Sequence, residues 1–152
     1  MKIPTIIASI FLVLCLSACQ AEVPESVTAK TASEFSLFEG QTAEVSDAGI
    51  TITFVSLSGD SRCPLGKECA MSGPVTLSLA IRDQGGTQTT EVLQTFTDIL
   101  GLAPDMEFEG IKDRTTVDRY LVKIISVLPY PESNTFSIGE PDYQITLKVT
   151  KE

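Results

Sequence analysis

The amino-acid sequence predicts an all-β domain, an antiparallel β-sandwich that is immunoglobulin-like in the loose sense. Apolar and polar residues alternate through most of the chain after residue 34, which is the pattern of half-buried strands. Turn-forming residues separate these segments, and apolar spacing typical of a helix is nearly absent. Several short strands joined by turns favour two packed antiparallel sheets, with a small open β-barrel as the alternative.

The alternation places the strands in order along the chain. They are expected at residues 34–37, 43–45, 50–57, 75–82, 88–97, 120–128 and 143–149. Asp47-Ala48-Gly49 predicts a turn after the second strand, and Gly85-Gly86 predicts the hairpin between the fourth strand and the fifth. Pro129 is expected to end the sixth strand. Residues 97–102 are expected to form one turn of helix.

The N-terminus has the features of an export signal. Lys2 is followed by a mostly apolar segment at residues 3–16, which is too short to span a bilayer because a spanning helix needs roughly 20 apolar residues. Small residues follow it, as a signal peptidase requires. The tetrapeptide Leu16-Ser17-Ala18-Cys19 resembles a bacterial lipobox, the motif at which a lipoprotein precursor is lipidated on cysteine and then cut before it.

This resemblance divides the chain into a lipoprotein signal peptide at residues 1–18, a lipidated Cys19 with a flexible polar tether at residues 19–33, and a single β domain at residues 34–152. Two or three acyl chains on Cys19 would bind membrane lipid stably. The alternative is a plain secretory signal cut near Ala18 or Ala21. The predicted location is the cell envelope. If the source is Gram-negative, Gln20 favours the periplasmic face of the outer membrane, because aspartate at this position commonly retains a lipoprotein in the inner membrane.

Composition argues against several classes of function. Twenty acidic residues against 11 basic ones give a net charge of −9, which is unfavourable for a nucleic-acid partner. The chain has no histidine, so it contains no Ser-His-Asp or Cys-His nucleophile and no zinc site built on histidine. A carboxylate pair, a Ser-Lys dyad or a calcium site would need no histidine and stays open on composition. The protein is nevertheless predicted not to be an enzyme, and no catalytic residue, cofactor or metal is assigned.

Two cysteines remain once the signal and the anchor are set aside. Cys15 leaves with the signal peptide and Cys19 carries the lipid, so Cys63 and Cys69 are expected to form one disulfide in an exported domain. A β-turn at residues 64–67 would bring their Cα atoms into disulfide range. Their spacing matches neither a C-x-x-C redox motif nor a zinc site.

Residues 59–74, GDSRCPLGKECAMSGP, form the most informative segment of the chain. The run DSRCP, followed by Cys69 and by Ser72-Gly73, resembles the DSRCP…C-x-W-x-G segment of an uncharacterised group of bacterial exported proteins and lipoproteins. That group has no established activity, so the resemblance implies export and no particular reaction. This chain has Met71 where the group usually has tryptophan, and Met71 is expected to fill the core.

The same segment is the candidate interaction loop. Asp60 and Arg62 alternate with Ser61, so a bidentate pair between them is expected to hold the loop in one shape. The candidate residues are Asp60, Arg62, Pro64, Lys67 and Glu68. The favoured function is a structural or interaction module that binds an envelope protein or ligand through this loop. The alternative is a protease inhibitor that presents Lys67 on the Cys63–Cys69 ring as a rigid, substrate-like loop.

A second acidic segment offers a different chemistry. In an extended strand, Asp105, Glu107 and Glu109 would share one face, with Met106 and Phe108 turned inward. Together with Asp113, these carboxylates have the oxygen ligands that Ca²⁺ prefers, although no EF-hand spacing is present. The favoured prediction is a solvated acidic face, with a calcium site as the alternative.

Overall fold

The alternating residues fold into two packed β-sheets, as the sequence predicts. The structure is a computed structural model that describes residues 25–132 and 142–152. Within these ranges the chain is all β, and the sheets form an antiparallel-rich sandwich that is not closed into a barrel. The strands are β1 (Val27–Ala29), β2 (Glu34–Phe38), β3 (Thr42–Val45), β4 (Ile50–Asp60), β5 (Val75–Arg82), β6 (Gln88–Thr95), β7 (Arg114–Val117), β8 (Tyr120–Leu128) and β9 (Gln144–Lys151).

One sheet has the strand order β1-β3-β4-β5-β6, and the other has the order β2-β9-β8-β7. Strand β5 shows how the pattern builds the core, because Val75, Leu77, Leu79 and Ile81 are fully buried while the residues between them are partly exposed. In β8 the same alternation shifts at a bulge between Ile124 and Ser126, so that Val127 turns inward. The core therefore lies between the two inner faces.

Strands β1 and β7 differ from the sequence-based expectation. Val27–Ala29 lies in the segment predicted as flexible tether, yet it pairs in parallel with β3, and Ala29 is buried. Thr31 binds Asp47 through both its backbone N–H and its hydroxyl, so residues 27–33 are folded onto the domain. Strand β7 is also absent from the prediction. A strand of three or four residues is too short to show an alternation, and β7 forms by pairing with β8.

No described residue belongs to a helix, so this part of the protein has no apolar helix long enough to cross a membrane. The helical turn expected at residues 97–102 is wrong. Asp98 accepts hydrogen bonds from the backbone N–H groups of Leu100 and Leu102, which closes a tight turn there. Leu102 then pairs with Ser126 at the edge of β8.

The sandwich has two ends, and each is made of different connections. The hairpin end consists of residues 46–49, 83–87 and 118–119, and Gln84 joins them by hydrogen bonds to Ala48 and Asp118. The stapled end, as far as the structure describes it, consists of residues 61–74, 96–104 and 129–132. Strands β4, β6 and β8 run from the hairpin end to the stapled end.

Gly101 provides a stability test of the stapled end. Its φ is +78°, and an added Cβ would lie 2.6 Å from the carbonyl oxygen of Val127. Gly110 has nearly the same φ, +79°, with open space around it. Gly110→Ala should therefore lose only about 1 kcal/mol of unfolding free energy to backbone strain. Gly101→Ala should lose about 1–3 kcal/mol more to the clash, measured by urea unfolding. Equal losses in the two variants would contradict this packing of Gly101 against β8.

Candidate functional site

Residues 61–74, the stapled loop, connect β4 to β5. The base of the loop continues the strand pairing: Ser61 N–H donates to Pro74 O at 3.1 Å, and Gly73 N–H donates to Ser61 O at 2.8 Å. Gly73 has no room for a side chain, because an added Cβ would lie 2.7 Å from Ser61 Cβ. The two ends of the loop are thus held together before its other contacts are considered.

The predicted disulfide is confirmed. Cys63 and Cys69 are bonded, with their Cα atoms 5.9 Å apart. The predicted turn is also present, since Lys67 N–H donates to Pro64 O at 3.1 Å and Gly66 has a φ of +80°. The ring is therefore a small closed turn, and Lys67 and Glu68 are exposed on it.

The bidentate pair expected between Asp60 and Arg62 is confirmed. Arg62 Nε donates to Asp60 Oδ1 at 2.9 Å, and Nη2 donates to Oδ2 at 2.6 Å. The Arg62 side chain is fully buried and that of Asp60 is 10 % exposed. Asp60 also accepts the backbone N–H of Arg62 and the hydroxyl of Tyr143. Arg62 is internal to the fold, and the two charges are paired with each other.

The remaining donors of Arg62 reach across to the other sheet. Nη1 donates to Val127 O at 2.9 Å and to Thr97 Oγ1 at 3.3 Å, and Nη2 donates to Pro129 O at 2.8 Å. The guanidinium lies 4.9 Å from the centre of the Tyr130 ring, within cation–π range. One side chain thus joins all three segments of the stapled end. No pattern in the sequence indicates these partners, because two of them are main-chain carbonyls.

The outer part of the stapled loop is exposed to solvent. Leu65 N–H donates to Pro131 O at 2.9 Å, which ties one side of the ring to the segment after β8. Met71 lies beyond the ring and is 85 % exposed, so the expectation that it fills the core is wrong. The core is closed by the inner faces of the strands, and residues 70–74 run outside both sheets.

The five candidate residues therefore separate into two groups. Arg62 is buried, Asp60 is half-buried with its carboxylate paired to Arg62, and these two form the base; Pro64 is half-buried beside the disulfide. Lys67 and Glu68 stand exposed on the ring. Only the second group is placed to contact another molecule.

The acidic segment does not form the expected strand. Residues 105–109 are irregular, Met106 is 64 % exposed, and Phe108 packs edge-on against Phe96 at 5.0 Å between ring centres. The expectation that Met106 and Phe108 both turn inward from a regular strand is therefore wrong. The segment instead follows the outside of the sandwich between β6 and β7, held by Gln94 N–H donating to Lys112 O.

Three carboxylates of this segment, those of Asp105, Glu107 and Asp113, bind basic side chains. Asp105 accepts from Lys123 Nζ at 2.7 Å, and this hydrogen bond is the main cause that lowers the pKa of Asp105. Arg114 binds both Asp113 and Glu107, and the hydrogen bond to Asp113 raises the pKa of Arg114. Within residues 25–132 and 142–152, no three metal-ligating side chains lie together. The geometry thus gives the calcium alternative no support.

A groove of about 730 Å³ opens beside the base of the stapled loop, between the end of β4 and the start of β9. Its described lining is Phe38, Glu39, Leu57, Ser58, Gly59, Asp60, Asp142 and Tyr143. Asp60 is held there by Arg62 and Tyr143, so it is committed to structural hydrogen bonds and is a poor general base.

No family model, curated protein or solved structure matches this chain. The lipobox, Cys15, Cys19 and the start of the tether lie outside the described residues. Function therefore has to be inferred from the stapled loop, the surfaces around it and the N-terminal sequence.

Replacement of Arg62 tests whether it holds the stapled end together. Arg62→Met leaves Asp60 buried without its partner, and breaking such a pair costs about 3–5 kcal/mol. Arg62→Lys should recover little of the lost unfolding free energy, because an ammonium group cannot reproduce the bidentate pair with Asp60 and the two carbonyl contacts. Arg82→Met is the matched control, since Arg82 is exposed and hydrogen-bonds Gln88 on the neighbouring strand. Urea unfolding gives the loss, and similar values for Arg62→Met and Arg82→Met would contradict the role assigned to Arg62.

Proposed function

We propose that this protein is an envelope lipoprotein, anchored to the membrane by lipid on Cys19, whose β-sandwich is a non-enzymatic interaction module. Its binding element is the ring of the stapled loop, with Lys67 and Glu68 as the exposed charges. The proposal depends on the difference in burial between the base of the loop and its outer part. Its base is buried and fully hydrogen-bonded, while its outer residues make few contacts with the domain.

Rigidity of this kind favours binding. A loop held in one conformation loses little entropy when a partner binds it. The disulfide, the turn at Pro64 and the Arg62 hydrogen bonds all restrict the same 14 residues, the stapled loop of positions 61–74. A loop serving only to connect β4 to β5 needs far fewer contacts, since antiparallel neighbours can be joined by two residues.

An enzymatic function has less support. The chain has no histidine, and Asp60 is committed to Arg62 and Tyr143. In the acidic segment, Asp105, Glu107 and Asp113 bind lysine and arginine side chains. These observations favour a module that binds over one that transfers protons or activates a nucleophile.

The exposure of Lys67 is the one observation that supports the protease-inhibitor alternative. A peptide that adds to a sheet edge or lies along an active-site cleft is extended, so that its main chain can pair with the partner. Residues 64–67 instead form a turn that uses the Lys67 N–H internally. The interaction module is therefore the function we retain.

Replacement of Cys19 tests the anchor. Cys19→Ser removes the sulfur that forms the thioether, so the variant should incorporate no labelled fatty acid and should accumulate as unprocessed or soluble protein. Cys15→Ser is the matched control, because Cys15 lies in the segment that is cut away, and it should be labelled like the wild type. Equal labelling of the Cys19→Ser variant and the wild type would contradict lipid anchoring at this residue.

Opening the ring tests the binding element. The Cys63→Ser/Cys69→Ser variant should remain folded and lose about 2 kcal/mol of unfolding free energy, because the closed loop is short. A photo-crosslinking side chain at position 67 should give a discrete envelope adduct in the intact protein and much less of it in the double variant. The control places the crosslinker at position 87, at the hairpin end, where no such adduct is expected. An adduct that is unaffected by opening the ring would contradict the loop as the binding element.

A further inference from the structure

We infer that the stapled end faces the membrane, and that an apolar tip made of Ile99, Leu100, Leu102 and Leu128 contacts the lipid interface. This inference rests on the proposed lipid anchor at Cys19. The four side chains are 66 %, 67 %, 48 % and 39 % exposed, respectively. They are large aliphatic residues at a sheet end and a turn, where polar residues are usual.

The turn that carries the apolar tip is held in one conformation. Asp98 Oδ1 accepts from Leu100 N–H and from Leu102 N–H, each at 2.9 Å, and Asp98 N–H donates to Leu102 O. The carboxylate is therefore occupied by the backbone of the turn. The side chains of Ile99 and Leu100 are left to project from it into solvent.

The turn that carries Ile99, Leu100 and Leu102 lies beside Leu128. Val127 N–H donates to Gly101 O at 2.9 Å and Ala103 N–H donates to Ile125 O at 2.8 Å, which holds the turn against the edge of β8. The Leu128 side chain lies directly against Gly101, where an added Cβ would be 2.7 Å from Leu128 Cδ2. Leu128 and the turn are thus neighbours in space, and Met71 is a further exposed apolar residue at the same end of the sandwich.

The hairpin end has no comparable aliphatic surface. Its turns carry Asp47, Asp83, Asp118 and Arg119. No large exposed apolar residue lies in residues 46–49, 83–87 or 118–119. An exposed aliphatic surface gains from contact with lipid. The stapled end also carries the exposed charges Lys67 and Glu68 on its ring, so the two ends differ in exposed aliphatic surface rather than in the presence of charge.

The direction of β1 turns the described start of the chain toward the stapled end. β1 is parallel to β3 and so runs opposite to β4, from the side of the stapled end toward the hairpin end. The chain ahead of Val27 consequently enters the domain from the side of the stapled end. Val27 lies level with Ala43 and Ile52, and the rest of β4 from there to Asp60 measures about 27 Å at the rise of a strand.

The length of the tether limits the distance to the bilayer. The eight residues from Cys19 to Ser26 span at most about 29 Å when fully extended. This slightly exceeds the distance from Val27 to the stapled end, so an extended tether is long enough for that end to reach the membrane. Because the anchor already concentrates the domain at the surface, a small apolar contact is sufficient to set its orientation. A partner of the stapled loop must then lie at the membrane surface.

Tryptophan fluorescence can test this orientation, because the natural chain contains no tryptophan. Leu100→Trp and Ile99→Trp each place one reporter on the apolar tip. Arg119→Trp places a matched reporter on an exposed residue of the hairpin end. Each full-length lipidated variant is purified from membranes, checked by mass for lipid on Cys19, and reconstituted into vesicles of phosphatidylcholine with brominated acyl chains.

Both tip reporters should emit at shorter wavelength and lose most of their emission to the bromines, while Arg119→Trp should keep its emission. The inference would be overturned by equal quenching at both ends, by greater quenching of Arg119→Trp, or by no quenching at the tip. In each of these cases, lipid detected on Cys19 would leave the proposed anchor standing. A tip reporter shielded from aqueous iodide yet unquenched by bromine would show that protein covers the tip, which also overturns it. Absence of lipid on Cys19 would overturn both this inference and the proposed anchor.

Discussion

The Arg62 side chain makes five hydrogen bonds, as many as a guanidinium has N–H groups, and the stapled end depends on them. The partners come from β4, from the start of residues 96–104 and from the end of β8. A buried charge of this kind is tolerated only when it is fully paired, and among the described residues no buried polar side-chain atom lacks a partner. Three connections that are distant in sequence are thereby fixed by one residue.

A buried ion pair is a weak source of net stability, because two apolar residues of similar volume would often stabilise the fold as well. Its effect here is on geometry. Asp60 and Arg62 are two residues apart, so their pairing alone restricts only the start of the loop. The bonds to Val127 and Pro129 add the opposite sheet, which sets where the disulfide ring stands relative to β8. The exposed charges of the ring and the apolar tip thus belong to one rigid end of the molecule.

Much of this arrangement could be predicted from the sequence, because alternation, turn residues and close pairs are local signals. Such signals predict the long strands, the Gly85-Gly86 hairpin, the disulfide and the Asp60–Arg62 pair. Strands β1 and β7 could not be predicted, because a strand of three or four residues forms only by pairing with a neighbouring strand. Met71 was misplaced because an apolar residue carries no information about which segments lie outside the sheets. The apolar tip went unnoticed since residues 97–102 fit a helical turn equally well by composition.

The parallel pairing of β1 with β3 has a mechanical consequence. A pull on the chain ahead of Val27, directed toward the stapled end, acts along the axis of β1 and loads its few hydrogen bonds to β3 in shear, all together. The tension would next act on two contacts that follow β1. Thr31 hydrogen-bonds Asp47, and Ala32 N–H donates to Val149 O at 2.7 Å. Detachment of β1 would add residues 27–33 to the reach of the tether, with the long strands of both sheets still paired. Under tension the N-terminal strand would therefore yield first, and the sandwich behind it would stay folded.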